Sequence, residues 1–327
     1  MKTFNNSRWI VAGSVFLFVA FVLSMIQWKT DLPMLLFERF ARGAGWIEVG
    51  MVSVFGAFIA YKMHDRKESA RWRKISWTVF SVWFFLQLFL GILVDMRFLL
   101  TGELHLPVPA MMISGPLYRG EKSVMTLLFL STLVLTGPAW CSQLCYFGAI
   151  DNLAAKGKTA RKPIRGKFVY KHSLLILLIS ATLLLRLLGA SALLATLAGA
   201  LFGLGGLLVI LLVSRKQRRM VHCTVYCPIG TLVSYLRYIS PFRMVIESSC
   251  DVCMACSSHC KYDALRLEDI RKKRPGITCT YCGDCLASCK SRSIRYKFLG
   301  LTSEQARNLW LFLTLSVYSI FLAMGRI

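Results

Sequence analysis

The chain has 327 residues, 56% of them hydrophobic, a mean hydropathy of +0.56 and a formal charge of +24, from 40 Lys and Arg against 16 Asp and Glu. So apolar a composition excludes a soluble globule. The charge invites a nucleic-acid reading, but no recognition module accompanies it.

The first apolar run, Trp9–Trp28, is long enough to cross a bilayer. It is longer than a signal-peptide core, and no small-x-small cleavage site follows, so it reads as a retained anchor. Further spans are expected at Trp46–Tyr61, Ile75–Leu93 and Val124–Gly137. The 40 residues Leu174–Val213 hold a single charge, Arg186, and read as two spans with a turn near Gly189–Ser191. A final run, Leu309–Met324, is short and could span or lie along the interface. The expectation is seven helices, or six if the last is interfacial.

Charge orients these spans. With the N-terminus inside, segments 1–8, 62–74, 139–172 and 214–308 are internal and carry 32 of the 40 Lys and Arg. That asymmetry is the positive-inside rule, and it accounts for most of the net charge. All twelve cysteines then lie inside, where a reducing cytoplasm keeps thiols available as ligands. The expected location is a bacterial inner membrane, with the N-terminus and the cysteine-rich region cytoplasmic.

Eight cysteines form two copies of one spacing, Cys250-x2-Cys253-x2-Cys256-x3-Cys260 and Cys279-x2-Cys282-x2-Cys285-x3-Cys289. In two-cluster ferredoxins the first three cysteines of such a run wrap one [4Fe–4S] cluster and the fourth ligates the other. Two clusters are predicted, one on Cys250, Cys253, Cys256 and Cys289, the other on Cys279, Cys282, Cys285 and Cys260. Zinc sites show separated Cys-x2-Cys pairs instead. The chemistry implied is one-electron transfer.

The other four cysteines repeat as well. Cys141-x3-Cys145-x2-Gly148-Ala149 matches Cys223-x3-Cys227-x2-Gly230-Thr231, and each pair lies just past the inner end of a span. This suggests a duplicated two-helix unit packed as a four-helix bundle. On a helix, i and i+4 share a face, so four thiols could converge. Three roles stay open for them: an additional metal or cluster, redox thiols, or packing.

At the outer ends of spans lie Glu48, Asp95, Arg97, Glu103, His105 and Arg186. Ionisable groups at such depth are candidates for function. Glu48 and His105 are the candidate proton acceptors for a quinol, against the plainer reading of wet or snorkelling side chains. His172 and His222 sit at the inner boundary, as ligand candidates or as interfacial residues. No paired histidines lie deep enough for a haem, and no nucleotide-binding loop is visible. The run Arg271–Arg274 fits a solvated loop, an anionic lipid surface, or docking of an acidic carrier such as flavodoxin or ferredoxin.

Over roughly residues 75–298, spans with two Cys-x3-Cys motifs followed by a two-cluster cysteine module resemble the NapH/NosR/CcoG-like membrane polyferredoxins. Pro228 follows Cys227 as in that family, whereas Tyr146 follows Cys145, and Lys261 and Lys290 replace the proline common after the fourth ferredoxin cysteine. The resemblance implies electron passage between a quinone pool or cytoplasmic donor and a membrane or extracytoplasmic acceptor, with a partner oxidoreductase or flavoprotein subunit. The chain would then be a component of an oxidoreductase system, a quinol dehydrogenase among the options. The alternative it implies is a maturation factor that reduces a metal, disulfide or cofactor for a partner enzyme.

The expected fold is a multi-pass α-helical membrane protein with a small α+β ferredoxin-like domain. Its parts would be an N-terminal hairpin (1–74), a duplicated core (75–244), the cluster domain (245–298) and a C-terminal helix (299–327).

Overall fold

The computed structural model describes residues 2–30, 33–99, 107–120, 124–157, 159 and 163–324. In chain order the helices are α1 (Lys2–Lys29), α2 (Leu36–Phe40), α3 (Gly45–His64), α4 (Ser69–Leu93), α5 (Met111–Arg119), α6 (Val124–Thr136), α7 (Tyr146–Ala154), α8 (Lys167–Leu187), α9 (Ala192–Leu208), α10 (Arg215–Gln217), α11 (Pro228–Leu236), α12 (Leu267–Arg271) and α13 (Ser303–Met324). Strands β1 (Phe242–Ile246) and β2 (Ile294–Phe298) form one two-stranded sheet.

Seven helices among the described residues are long and apolar enough to cross a membrane: Asn6–Lys29, Gly45–His64, Ser69–Leu93, Thr126–Leu144, Lys167–Leu187, Ala192–Gln217 and Ser303–Met324. Each overlies an expected span, and together they make this a multi-pass membrane protein. The turn between α8 and α9 falls at Gly189, which takes φ +60°, and Ser191 caps α9 through its side chain.

Two expectations are corrected. The last helix starts six residues before Leu309 and has 22 residues, about 33 Å at 1.5 Å per residue, enough to span. Sequence reading stopped short because Glu304 and Arg307 break the apolar run. In the fold Arg307 is buried, and its guanidinium donates to the carbonyls of Met63 and His64 at 2.8 and 2.7 Å. It satisfies the free end of α3. The segment 94–122, read as an outer loop, contains the helix α5, whose nine residues with an internal Pro116 are too short to betray a period.

The chain divides into two compact units, which regroups the four expected parts. The first takes in positions 1–105 and 296–327, where α1, α3 and α13 pack together over Val15, Val19, Leu23, Ile59, Leu315 and Tyr318. Gly56 permits this approach: a Cβ there would lie 2.3 Å from Ser319 Oγ. Tyr318 donates its hydroxyl to Ser76 O at 2.7 Å and so holds α4.

The second unit, 106–295, carries every cysteine. Its spans α8 and α9 leave broad apolar faces exposed, as lipid-facing helices do. The cysteine-rich segment is stitched to the ends of these helices within the same unit. Thr159 donates to Ser257 O and Ser258 O, Met220 N to Lys261 O at 3.1 Å, and Tyr262 Oη to Cys141 O at 3.0 Å.

At the core of that seam is Asp263, 3% exposed. Its carboxylate takes Lys167 Nζ at 3.1 Å, Arg266 Nε at 3.0 Å and the guanidinium of Arg219. Burial pushes this carboxyl up, but the bond from Arg266 and the charges of Lys167 and Arg219 outweigh it and hold the group below its ordinary range.

Candidate metal centres

The two four-cysteine motifs share a pattern of left-handed residues. Relative to the first cysteine of each run, the second, fourth and thirteenth following residues take positive φ: Val252, Met254 and Asp263 in one, Tyr281, Gly283 and Arg292 in the other. Their φ values run from 50° to 78°. A β-branched Val at φ 53° is a costly conformation, and strain of that kind persists only where surroundings enforce it. Here the left-handed residues flank the middle cysteine and turn the chain back so that successive thiols address one side.

One cavity brings cysteines of both motifs together. Cys250, Cys253 and Cys256 line one small cavity together with Cys289 of the other motif, closed by Ile246, Ile270 and Ile294. Burial pushes the Cys256 thiol up to about 11, followed by the charges of Cys289, Cys250 and Cys253. Burial drives Cys285 well up, and Cys282, Cys279, Cys260 and then Cys256 reinforce it. Cys260 and Cys279 reach about 12 and about 11, again chiefly by burial. Thiols so placed do not ionise alone; a cation must gather them as thiolates. The donor set and its crossed geometry fit iron–sulfur clusters. Among the described residues no group of three or more His, Cys, Asp or Glu surrounds a single-ion point. A cubane spreads its four thiolates over four irons.

The Cys-x3-Cys pairs share a local backbone, and it is not the continuous α-helix expected from their spacing. Trp140–Leu144 and His222–Tyr226 are widened π-type turns, closed by Cys145 N to Trp140 O at 3.0 Å and Cys227 N to His222 O at 2.8 Å. The second cysteine of each pair is extended (φ −78°, ψ 115° and φ −74°, ψ 120°) and caps the next helix. Pro228 opens α11 where Tyr146 opens α7, so the proline is dispensable to the geometry. The pairs approach one another closely enough for Cys145 to interact electrostatically with Cys227, and Cys223 with Asp151, Cys145, Cys227 and Cys141. Asp151 Oδ2 accepts from Cys223 N at 3.0 Å, which ties α7 to the other pair.

A second small cavity joins the two cysteine systems. Cys141 and Cys223 line it from one side, and Cys279 with Thr280 from the other. Lys171 and Ser234 complete the wall. The hydroxyl of Ser142 donates to Thr280 O at 3.3 Å. Arg237 donates to the carbonyls of Gly276, Ile277 and Cys279 and fixes that strand of the module.

His222, beside Cys223, is 4% exposed and stands between the rings of Phe147 and Tyr226. Gly205 and Gly206 on α9 make the notch for it: a Cβ at Gly206 would meet His222 at 2.7 Å, and one at Gly205 would meet Tyr226 Oη at 2.7 Å. Tyr226 in turn stacks on Phe202 at 4.7 Å. Phe202 also lines a cavity of about 390 Å³ between α5, α8 and α9, whose walls are apolar apart from a few hydroxyls and Arg119. His172 bonds Tyr235 Oη at 2.5 Å on the surface.

Of the two candidate proton acceptors, Glu48 alone lies among the described residues. Glu48, in the first unit, is 4% exposed and accepts from Phe37 N at 2.9 Å, an anchor for the start of α2. His105 and Glu103 lie outside the described residues. Asp95 pairs with Arg97 at 2.6 Å, Arg186 donates to Leu117 O at 3.0 Å, and Arg271–Arg274 are exposed.

Sequence reasoning missed Lys171, Asp151, Tyr262 and Asp263. One signal was there: Asp151 is the sole acid in the basic segment 139–172.

Residues 123–168 and 196–246 both match a family described as a 4Fe-4S binding domain. Each stretch contains one Cys-x3-Cys pair, and both end before Cys250. The chain is 27% identical over 175 residues to an uncharacterised protein of Methanocaldococcus jannaschii, which is 50% of this chain and 65% of that protein. It therefore spans a little under two thirds of that relative's length. No solved structure matches. These findings support an iron–sulfur ferredoxin-type protein, and with the seven apolar helices they fit a membrane iron–sulfur electron-transfer protein.

Proposed function

We propose that this protein relays electrons at the inner membrane face, between a cytoplasmic carrier or the quinol pool and a membrane or extracytoplasmic acceptor. The supporting observation is the shared cavity at which Cys141 and Cys223 meet Cys279. Cys250, Cys253, Cys256 and Cys289 would hold one cluster; Cys279, Cys282, Cys285 and Cys260 the other; and the two Cys-x3-Cys pairs a third centre. The duplicate family match over those pairs supports the third assignment and a duplicated unit. Bound clusters supply reversible one-electron carriage. Tyr262 and Ser142 keep the two cysteine systems in register through their bonds to Cys141 O and Thr280 O. Ile246, Ile270 and Ile294 give the first set an apolar wall.

The cavity against Phe202 supports a quinol as the lipid-side donor, because the Phe202–Tyr226 stack leads from it to Cys227. The exposed run Arg271–Arg274 suits an acidic carrier on the other side. Quinol-dependent reduction, followed by visible bleaching under anaerobic conditions, tests this directly. Filling the cavity with Gly199→Phe should slow quinol-dependent bleaching at least tenfold and leave reduction by dithionite unchanged. Reduction of cupric ion or of a partner's disulfide, without quinol or flavodoxin turnover, would instead support the maturation reading.

A paired substitution, Cys141→Ser with Cys223→Ser, should lower bound iron and retain the eight-cysteine clusters. Loss of those clusters instead would contradict the assignment of ligands.

A further inference from the structure

Lys167 and Lys171 stand one turn apart on α8, and both are buried, at 3% and 2% exposed. Their surroundings differ. Lys167 ends on Asp263. Lys171 ends on neutral oxygens: its Nζ donates to Gly230 O at 3.3 Å and Ser234 Oγ at 2.5 Å, both on α11. Among the described residues no Asp or Glu pairs with it. The charged or chargeable groups that face it are the thiols of Cys141 and Cys227 and the cations Lys167 and Arg237. It lines the cavity that Cys141 and Cys223 share with Cys279.

A buried ammonium held only by neutral acceptors has its hydrogen bonds but not its charge satisfied, and that is costly. The adjacent repulsive cations raise the cost. The thiols of Cys141 and Cys227 interact with it, Cys223 lines the same cavity, and the ligating form of a thiol is the thiolate. We infer that Lys171 is the fixed counter-charge of a thiolate-ligated centre at Cys141, Cys145, Cys223 and Cys227, and sets how readily that centre takes up an electron. Positive charge at this distance favours the reduced, more negative state. Gly230 O and Ser234 Oγ hold the ammonium at the boundary between the two cysteine systems, so the centre there is the better acceptor for an electron arriving from the Cys279 side. Lys171 is a positioning and tuning residue; it ligates nothing.

This inference rests on the reading that the Cys-x3-Cys pairs hold a redox centre. The two are separated by one set of anaerobic, EPR-monitored redox titrations on the full-length protein in detergent, with dithionite as reductant. The variants are Lys171→Met, Lys171→Gln and Lys171→Arg, beside the paired Cys141→Ser and Cys223→Ser. The cysteine pair identifies the signal of the membrane-proximal centre. In Lys171→Met and Lys171→Gln that signal should shift by at least tenfold in the reduction equilibrium, about 59 mV lower for a one-electron couple. The eight-cysteine signals should move less, and Lys171→Arg should restore the wild-type value. Selective loss of the centre's iron in both neutral variants, with retention in Lys171→Arg, would also support a charge requirement. An unchanged potential with every centre present, or Lys171→Arg behaving like Lys171→Met, would overturn the inference. So would loss of all signals in both neutral variants, which would make Lys171 a holder of the fold. If the paired cysteine variant removes no iron and no signal, the underlying reading itself fails, and Lys171 loses its partner.

Discussion

Cys289→Ser is expected to cost the protein four irons, and adding Cys253→Ser to it is expected to cost no more. The reasoning is geometric. Cys289 belongs to the second motif by sequence, yet it lines a cavity with Cys250, Cys253 and Cys256 of the first. If ligands were grouped by motif, the two substitutions would strike different clusters and the double variant would lose eight. If they are crossed, both strike the same cluster. Cys260→Ser with Cys282→Ser is the mirror experiment, since Cys260 and Cys282 both act on Cys285. Iron and acid-labile sulfide counts on anaerobically purified protein, read beside the EPR spectrum of the surviving cluster, give the answer without any activity assay. The matched left-handed residues are why the survivor should persist: each motif bends its own three thiols inward before the fourth crosses over.

Asp263→Ala should destabilise the second unit by about 3–5 kcal/mol, the usual cost of stranding buried charges. It would take the shared carboxylate from Lys167 and Arg219, 3% and 4% exposed. Its position at φ 50° is tolerated by Asp and by Asn, so Asp263→Asn isolates the charge from the backbone. The pH dependence has a definite sign. The folded carboxyl is held below its ordinary range, so its contribution is present above the unfolded value near 4 and is lost as pH falls through the lower folded one. The stability gap between wild type and Asp263→Asn, read by thermal unfolding in detergent, should hold steady from neutral pH to about 5 and close only in more acid solution. A gap that closes near neutrality would contradict the ion-pair account.

Spans were legible because length and hydropathy are all that a bilayer asks of a helix. The turn at Gly189 was legible for the same reason, since 40 residues with one charge are too many for a single span. What stayed hidden was held by tertiary contact. Arg307 reads as a charge that ends a helix, yet it is buried against the carbonyls of α3 and lets α13 begin earlier. Glu48 reads as a proton acceptor by its depth, and the fold uses it to fix α2. Lys167 and Lys171 read as two more positive-inside charges, because nothing in a linear pattern says that one will find a carboxylate and its neighbour will not. Spacing alone puts Cys289 in the expected set with Cys250, Cys253 and Cys256, and these four share a cavity, whereas i, i+4 spacing suggested a regular helix for the Cys-x3-Cys pairs. The π-type turns replace that helix, and they put each second cysteine at a helix entrance.

One measurement bears most directly on the claim that the cysteine-rich module carries inorganic redox clusters beneath a membrane scaffold: the iron and sulfide content of protein purified without oxygen, with its EPR spectrum before and after dithionite. At least eight irons and eight sulfides per chain, with signals that appear on reduction, are predicted. A colourless protein that binds zinc in place of iron and stays silent after dithionite would contradict it.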